Sequence, residues 1–292
     1  MGLLLNNEPL ARHTSWRVGG AADRYFEPES REDLVTFVRS LPADEPILWI
    51  GLGSNLLVRD AGVRGTVIAL HGALDQLKKS GDTEIFVEAG VHCARMAKFA
   101  VGEKMAGAGF FAGIPGTVGG ALAMNAGAHG GETWNAVHEV EVMFRDGHCE
   151  WLPRAAFRYA YRHVETPEGV MGFVAARFRF AVDVAGTAEK DMKEWLARRK
   201  ATQPVGKPSA GSTFRNPPGD HAARLIEACG LKGYRIGGAM VSMLHANFIL
   251  TDDTARAADV EALIAHISDV VQQQQGITLQ TEIRIVGVAN HA

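Results

Sequence analysis

The 292-residue sequence predicts a fold of mixed α-helices and β-strands. Three observations carry that expectation. Apolar residues recur at helical spacing in some segments and alternate with polar ones in others. Two glycine-rich stretches, 51–62 and 107–131, interrupt those segments. A proline-marked crossing, Lys200 to Gly211 with Pro204 and Pro208, separates a first region from a second. The length allows two domains, or one large domain with a subdomain.

In chain order, TSWRVGG at 14–20 leads into the alternating segment Ala22 to Phe26, a β-hairpin entry. Ser30 and Asp33 form a capping box, and Leu34, Phe37, Val38 and Leu41 place an amphipathic helix over 31–41. Ile47–Ile50 reads as a buried strand. Further strands are expected at Val67–Leu70 and Ile85–Ala89. Cys93, Met96, Ala97, Ala100 and Val101 share one face of a helix over about 92–103, which is core packing and not a ligand set. Val140, Val142 and Phe144 alternate, Asp146-Gly147 turns the chain, and 148–152 returns. Val174 to Val182 alternates again. The helix at 187–201 carries Met192, Trp195 and Leu196 beside a mixed charged face read as solvated. In the second region Asp220 caps a helix over 221–229 that stops at Gly230. Thr254 caps a long helix with Val260, Leu263, Ile264, Ile267, Val270 and Val271 as its apolar stripe, closed by Gly276. In the last strand Ile277, Leu279, Ile283 and Ile285 face one way and Thr278, Gln280, Glu282 and Arg284 the other. Glu282 therefore points away from the core, toward solvent or a cleft.

The glycine stretch 107–131, GAGFFAGIPGTVGGALAMNAGAHGG, is the centre of the chain. Nine of its 25 residues are glycine, too many for a strong helix, and Phe110, Phe111, Ile114, Val118, Leu122 and Met124 are too apolar for a linker. The reading is backbone held close against something flat or phosphorylated, with main-chain N–H groups converging where no β-carbon intrudes. A tight turn between buried strands is the alternative. Gly51, Gly53, Ser54 and Asn55 follow a strand and form a second candidate diphosphate cradle. It is not a dinucleotide fingerprint, because Leu56 stands at the third glycine, and no Walker lysine is present. Arg158, Arg162 and His163 lie among Phe157, Tyr159 and Tyr161. An arginine there is either stacked on a ring at the surface or fixed for carboxylate recognition. Ser212 lacks the surroundings of a nucleophile, having neither GxSxG nor SxxK, and is left to donate a proton or orient a ligand. His245 reads as a structural histidine.

A net charge of −3 and the lack of a basic run argue against nucleic acid. Cys93, Cys149 and Cys229 are odd in number and scattered, so neither a disulfide framework nor a metal site is expected. No signal peptide, myristoylation site or membrane span is read. The expectation is a soluble, reduced, cytoplasmic protein, a monomer or weak oligomer.

Taken together, HTSWRVGG (13–20), GLGSNLLV (51–58), GIPGTVGGALAMNAGAHG (113–130), YR (161–162), AGSTFRNP (210–217), LIEACGLKG (225–233), VSMLHANF (241–248) and LQTEI (279–283) occur in one order. The chain resembles, over nearly its whole length, the UDP-N-acetylenolpyruvoylglucosamine reductases, flavoenzymes of peptidoglycan precursor synthesis. The resemblance implies an FAD-binding region of two α+β subdomains over 1–200, of the vanillyl-alcohol-oxidase type, and a substrate domain over 201–292. It implies FAD contacts from Gly51, Gly53, Ser54, Asn55, Leu56, Gly113, Ile114, Pro115, Gly116, Thr117, Gly119, Gly120, Asn125 and Gly127. Arg162, Ser212 and Glu282 match the family's catalytic groups, and Asn216 matches a substrate contact. The short interval between Ser212 and Glu282 is similar to the family's second class, which lacks an extra tyrosine-bearing loop. Leu244 and residues 251–256 depart from the family's usual pattern.

The resemblance also implies a ping-pong reduction. NADPH delivers hydride to FAD, and the enolpyruvyl ether of a UDP-sugar then receives it at its terminal vinyl carbon. Arg162 and Glu282 would stabilise the charge that develops beside the carboxylate, and Ser212 would supply the proton. Two other readings stay open at this level. One is an oxygen-using flavin oxidase, which would release hydrogen peroxide. The other is a nucleotide sensor, which would be colourless.

Overall fold

The computed structural model describes residues 2–289 and divides them into two compact units. The first comprises residues 2–4, 25–52 and 67–199. The second comprises 5–24, 53–66 and the chain from 200 onward. The contiguous partition into 1–200 and 201–292 is thereby corrected, because two early segments fold with the C-terminal part. Trp16 shows why. It is fully buried, its indole N–H donates to the Ile249 carbonyl at 2.8 Å, and the Thr251 hydroxyl donates to the Trp16 carbonyl at 2.6 Å. Strand Leu56–Val58 likewise pairs in parallel with Arg284–Val286.

The first unit holds a five-stranded antiparallel sheet in the order Cys149–Pro153, Val137–Phe144, Val170–Arg179, Glu84–Glu88 and Leu77–Lys79. The alternation expected at 140–144 is present, with Val140 and Val142 fully buried, but Met143 and Glu141 on the other face are buried too. The sheet is covered on both sides. Ile85, Val87, Val140 and Val142 share one core with Met96, Ala97 and Ala100 of helix Cys93–Gly102. Met143 and Val174 share another with Leu34 and Val38 of helix Arg31–Ser40. Glu141 tolerates burial because Arg31 donates to it at 2.5 Å. At the start of that helix Ser30 accepts the Asp33 N–H, as half of the expected box. The Asp33 carboxylate instead takes the N–H groups of Gly2 and Glu29.

The second unit packs helices Ala222–Ala228 and Ala257–Gln275 against a three-stranded antiparallel sheet, Arg235–Ile236, Ala239–Val241 and Ile249–Thr251. Val260, Leu263, Ile264, Ile267 and Val271 form the expected stripe and meet Leu225, Ile226, Leu57 and Trp16. Both N-terminal caps expected in this unit are corrected. The Ala222 N–H donates to the Asn216 side chain at 3.1 Å, while Asp220 pairs with Arg224. That guanidinium holds the Asp220 carboxyl down to about 2. Helix Ala257–Gln275 is capped by Asp60, whose two carboxylate oxygens take the Ala257 and Ala258 N–H groups at 2.9 Å. Thr254 lies outside that helix. Gly276 ends it in the left-handed conformation at φ 70°. The expected last strand is regular only over Arg284–Val286, yet Leu279 and Ile283 are buried while Gln280 and Arg284 are exposed, so the alternation holds.

Candidate active site

The glycine stretch builds more helix than its composition suggests. Residues Val118–Met124 form a two-turn helix whose N-cap, Thr117, accepts the Gly120 N–H. Tertiary contact offsets the glycine cost. The Val118 and Gly119 N–H groups donate to the carbonyls of Val91 and Ala89 at 2.8 Å, and a β-carbon on Gly119 would stand 3.0 Å from that of Ala89. The Gly119 amide is therefore bonded within the protein. Gly120 behaves differently. It is exposed, and an added β-carbon would meet nothing closer than Thr117 Oγ1 at 3.7 Å.

Asn125 ends that helix in the left-handed region at φ 47° and is fully buried. Its Nδ2 donates to Glu132 at 3.0 Å and to the Ala160 carbonyl at 2.9 Å, and its Oδ1 accepts the Trp134 N–H at 3.0 Å. The side chain thus uses both amide hydrogens, and its Oδ1 keeps one further lone pair. Its work is to hold the hairpin of strands Arg158–Ala160 and His163–Glu165. Tyr161 and Arg162 are the two-residue turn of that hairpin. Arg162 has φ 55°, a conformation that costs a β-carbon-bearing residue about 1 kcal/mol. Its guanidinium donates to the carbonyls of Gly127 at 3.0 Å and Asn125 at 3.4 Å and lies over the Tyr161 ring at 4.7 Å. The guanidinium is thus both stacked on a ring and fixed by main-chain carbonyls. Gly127 must be glycine, since a β-carbon would sit 2.3 Å from the Gly131 carbonyl oxygen and 3.2 Å from Arg162 Nη1.

The first loop touches the second through Gly51, where a β-carbon would lie 2.4 Å from Thr117 Oγ1. Further along, Gly53 has φ 58° and packs on His13, and its carbonyl accepts the Ser15 N–H at 3.2 Å. That contact absorbs the TSWRVGG motif into the second unit.

In the same unit Ser212 and Glu282 come together. Phe214 and Thr281 form an antiparallel bridge. The Arg215 N–H donates to the Gln280 carbonyl, and the Glu282 N–H to the Thr213 carbonyl, both at 2.8 Å. Ser212 therefore directly precedes the residue bonded to Glu282. Both side chains are half-buried. Asn55 Nδ2 donates to the Glu282 carbonyl at 3.2 Å, and the Asn55 carbonyl accepts the Arg284 N–H at 3.0 Å. Leu56 is buried in the adjoining parallel pair. Arg162 belongs to the first unit, Ser212 and Glu282 to the second.

A cluster that the sequence reading missed braces the glycine stretch. Arg199 donates to the Gly113 carbonyl at 2.8 Å, and Trp195 stacks on His129 at 5.3 Å. Burial first, then the Arg199 and Arg198 charges, pushes His129 down from its ordinary value. The helix face read as solvated thus includes a half-buried arginine four residues after Trp195. That spacing on one helix face was the available signal.

The donor set fits a flavin nucleotide. Exposed Pro115 and Gly120 leave main chain open to close approach, in a stretch whose only titratable side chain is His129. Among the described residues no His, Cys, Asp and Glu cluster could hold a metal, and no helix is long and apolar enough to cross a membrane.

Comparison with known proteins agrees. Residues 22–153 match an FAD binding domain family, and residues 203–286 match the C-terminal domain family of UDP-N-acetylenolpyruvoylglucosamine reductase. The reductase of that name from Methylococcus capsulatus is 52% identical over 99% of this chain and 94% of its own length. The one from Alkalilimnicola ehrlichii is 53% identical over 99% and 96%. The crystal structure of the Thermus caldophilus reductase superposes with a TM-score of 0.82 at 33% identity, covering 98% of each chain.

Proposed function

The chain belongs to the UDP-N-acetylenolpyruvoylglucosamine reductase family, and we propose that Arg162, Ser212 and Glu282 carry its reaction. It is an FAD-dependent oxidoreductase that uses NADPH to reduce the enolpyruvyl group of a UDP-sugar ether in peptidoglycan precursor synthesis. When bound, FAD would supply the hydride-transfer chemistry that links NADPH to the terminal vinyl carbon of the substrate.

The observation that supports the residue roles is the pairing of 213–215 with 280–282, which brings together the remote segments that carry a hydroxyl and a carboxylate. Hydride arrival places negative charge on the carbon beside the substrate carboxylate. Arg162, pre-aligned by two main-chain carbonyls, stabilises that charge without reorganising. Glu282 polarises the same group. The Ser212 hydroxyl gives its proton to the carbon and recovers one from solvent. A serine is a weak acid, so it acts only on a strongly basic carbanion and only when well placed. Asn216 contacts substrate with the amide group that its capping role leaves over. The cofactor contacts are assigned to Gly51, Gly53, Ser54, Asn55, Leu56, Gly113, Ile114, Pro115, Gly116, Thr117, Gly119, Gly120, Asn125 and Gly127, through main chain wherever the side chain is otherwise used. We read the enzyme as cytoplasmic, where a nucleotide-sugar substrate would be met, and as a monomer or weak oligomer.

Stopped-flow absorbance of FAD-loaded enzyme tests the assignment. Ser212→Ala retains rapid NADPH-driven bleaching and loses about 100-fold or more in reoxidation by the enolpyruvyl ether. Slow bleaching with intact reoxidation would reverse the roles.

A further inference from the structure

We infer that Asn247 is a positioning residue for the Ser212 hydroxyl, a part of the proton-delivery step that acts without touching substrate. The inference rests on Ser212 being the proton donor. Asn247 is only 3% exposed and sits in the turn between strands Ala239–Val241 and Ile249–Thr251. It grips the chain beside Ser212 at three points. Its carbonyl accepts the Thr213 N–H at 2.8 Å, its Oδ1 accepts the Phe214 N–H at 2.9 Å, and its Nδ2 donates to the Phe214 carbonyl at 2.8 Å. The side chain thus imitates an adjacent strand, pairing both polar groups of one buried residue.

This grip falls where the chain most needs one. Gly211, just before Ser212, is in the left-handed region at φ 78°, with open space around it. Such a residue swings readily. On the other side Phe214 is 1% exposed and fixed by Asn247 and the Thr281 bridge. Ser212 therefore stands between a hinge and an anchor, and the anchor sets where its hydroxyl points. Among the described residues that hydroxyl takes no hydrogen-bond partner of its own, so its placement comes from main chain alone. The turn carrying Asn247 is itself braced. The Leu244 and His245 N–H groups donate to the buried Ser242 hydroxyl, and the Asn247 N–H donates to His245 Nδ1 at 3.3 Å. A weak acid gains rate from alignment, so loosening the anchor slows proton transfer and leaves hydride transfer from NADPH untouched.

The test uses FAD-loaded full-length enzyme with Asn247→Asp, a near-isosteric change that keeps the acceptor for Phe214 and replaces the donor with a carboxylate. Asn247→Ala is measured beside it. Expected are normal flavin content, NADPH bleaching within about twofold of the parent, and reoxidation slowed about tenfold or more, with a larger solvent deuterium isotope effect. Acidification should partly restore Asn247→Asp alone, because the protonated carboxyl group can again donate to the Phe214 carbonyl. The inference is overturned if reoxidation is unchanged, if both half-reactions slow in equal proportion, or if both variants lose flavin or fail to fold. Ser212→Ala separates the premise. Should it reoxidise normally, the proton-donor reading fails. Should it fail to reoxidise while the Asn247 variants behave as parent, only the positioning role is lost.

Discussion

The turn that carries Arg162 and the segment that carries Ser212 are fixed in different ways. Arg162 is held within the first unit by strained backbone. It has a positive φ, it leans on carbonyls from a left-handed asparagine and from a glycine that tolerates no β-carbon, and Asn125 ties its hairpin down. Ser212 is held within the second unit by ladder-type bonds between three segments far apart in sequence, around 213–215, 247 and 280–282. Strain suits a cation that must stay aimed at developing charge, because reorientation would cost stabilisation. Ladder bonds around a glycine hinge suit a group that must align with a reacting carbon.

The comparison can be broken at its strongest point first. Arg162→Lys keeps the charge but loses the planar fork, so substrate reoxidation of the reduced flavin should fall about 100- to 1,000-fold. NADPH bleaching should remain, and a loss under tenfold in stopped flow would show that the strained geometry is unnecessary. Gly127→Ala attacks the same geometry from the backbone. Its β-carbon meets a carbonyl oxygen, so urea unfolding should show a loss of about 2 kcal/mol, with reoxidation reduced as well. On the other side, Asn55→Ala removes one bond to the Glu282 carbonyl and should cost about 1 kcal/mol by the same assay.

Gly120→Ala sharpens the contrast among glycines. The protein leaves room for that β-carbon within a helix, so apoprotein melting should rise by the equivalent of about 0.5–1 kcal/mol. FAD affinity, read by titration, should fall. Unchanged affinity would remove Gly120 from the cofactor surface. The smallest effect is a pH dependence shared by both units. His129 and His245 are both pushed below their ordinary value, in each case first by burial, then by nearby cations, Arg199 and Arg198 for one and Lys232 for the other. A folded value below the unfolded one means that the unfolded chain binds protons first. Their contribution is thus complete above pH of about 6.5 and is lost as pH falls below it. Urea midpoints measured downward from pH 7 should decline, and His245→Gln should flatten part of that slope.

Local structure was legible wherever one segment contained its own reason. The stripe of helix Ala257–Gln275, its Gly276 stop and the 278–284 alternation all read directly. Partners far along the chain were not legible. Asp60 and Asn216 displaced the nearer candidates Thr254 and Asp220 at two helix starts, since a cap needs only an oxygen at the right place in space. Arg199 read as a surface charge because nothing in its helix shows that Gly113 lies beneath it.

The sequence by itself determined the mixture of helices and strands and a backbone open to something flat or phosphorylated, and its resemblance to a known family named the cofactor. Glycine density, an arginine between aromatics and a terminal carboxylate on a polar face are local properties of the chain. Only the tertiary structure decided that residues 5–24 and 53–66 join the C-terminal unit, that Glu282 pairs with Thr213 next to Ser212, and that the Asn125 amide serves the Arg162 hairpin. Those outcomes depend on which remote backbone groups satisfy one another on burial, and that matching exists only once the chain has closed on itself.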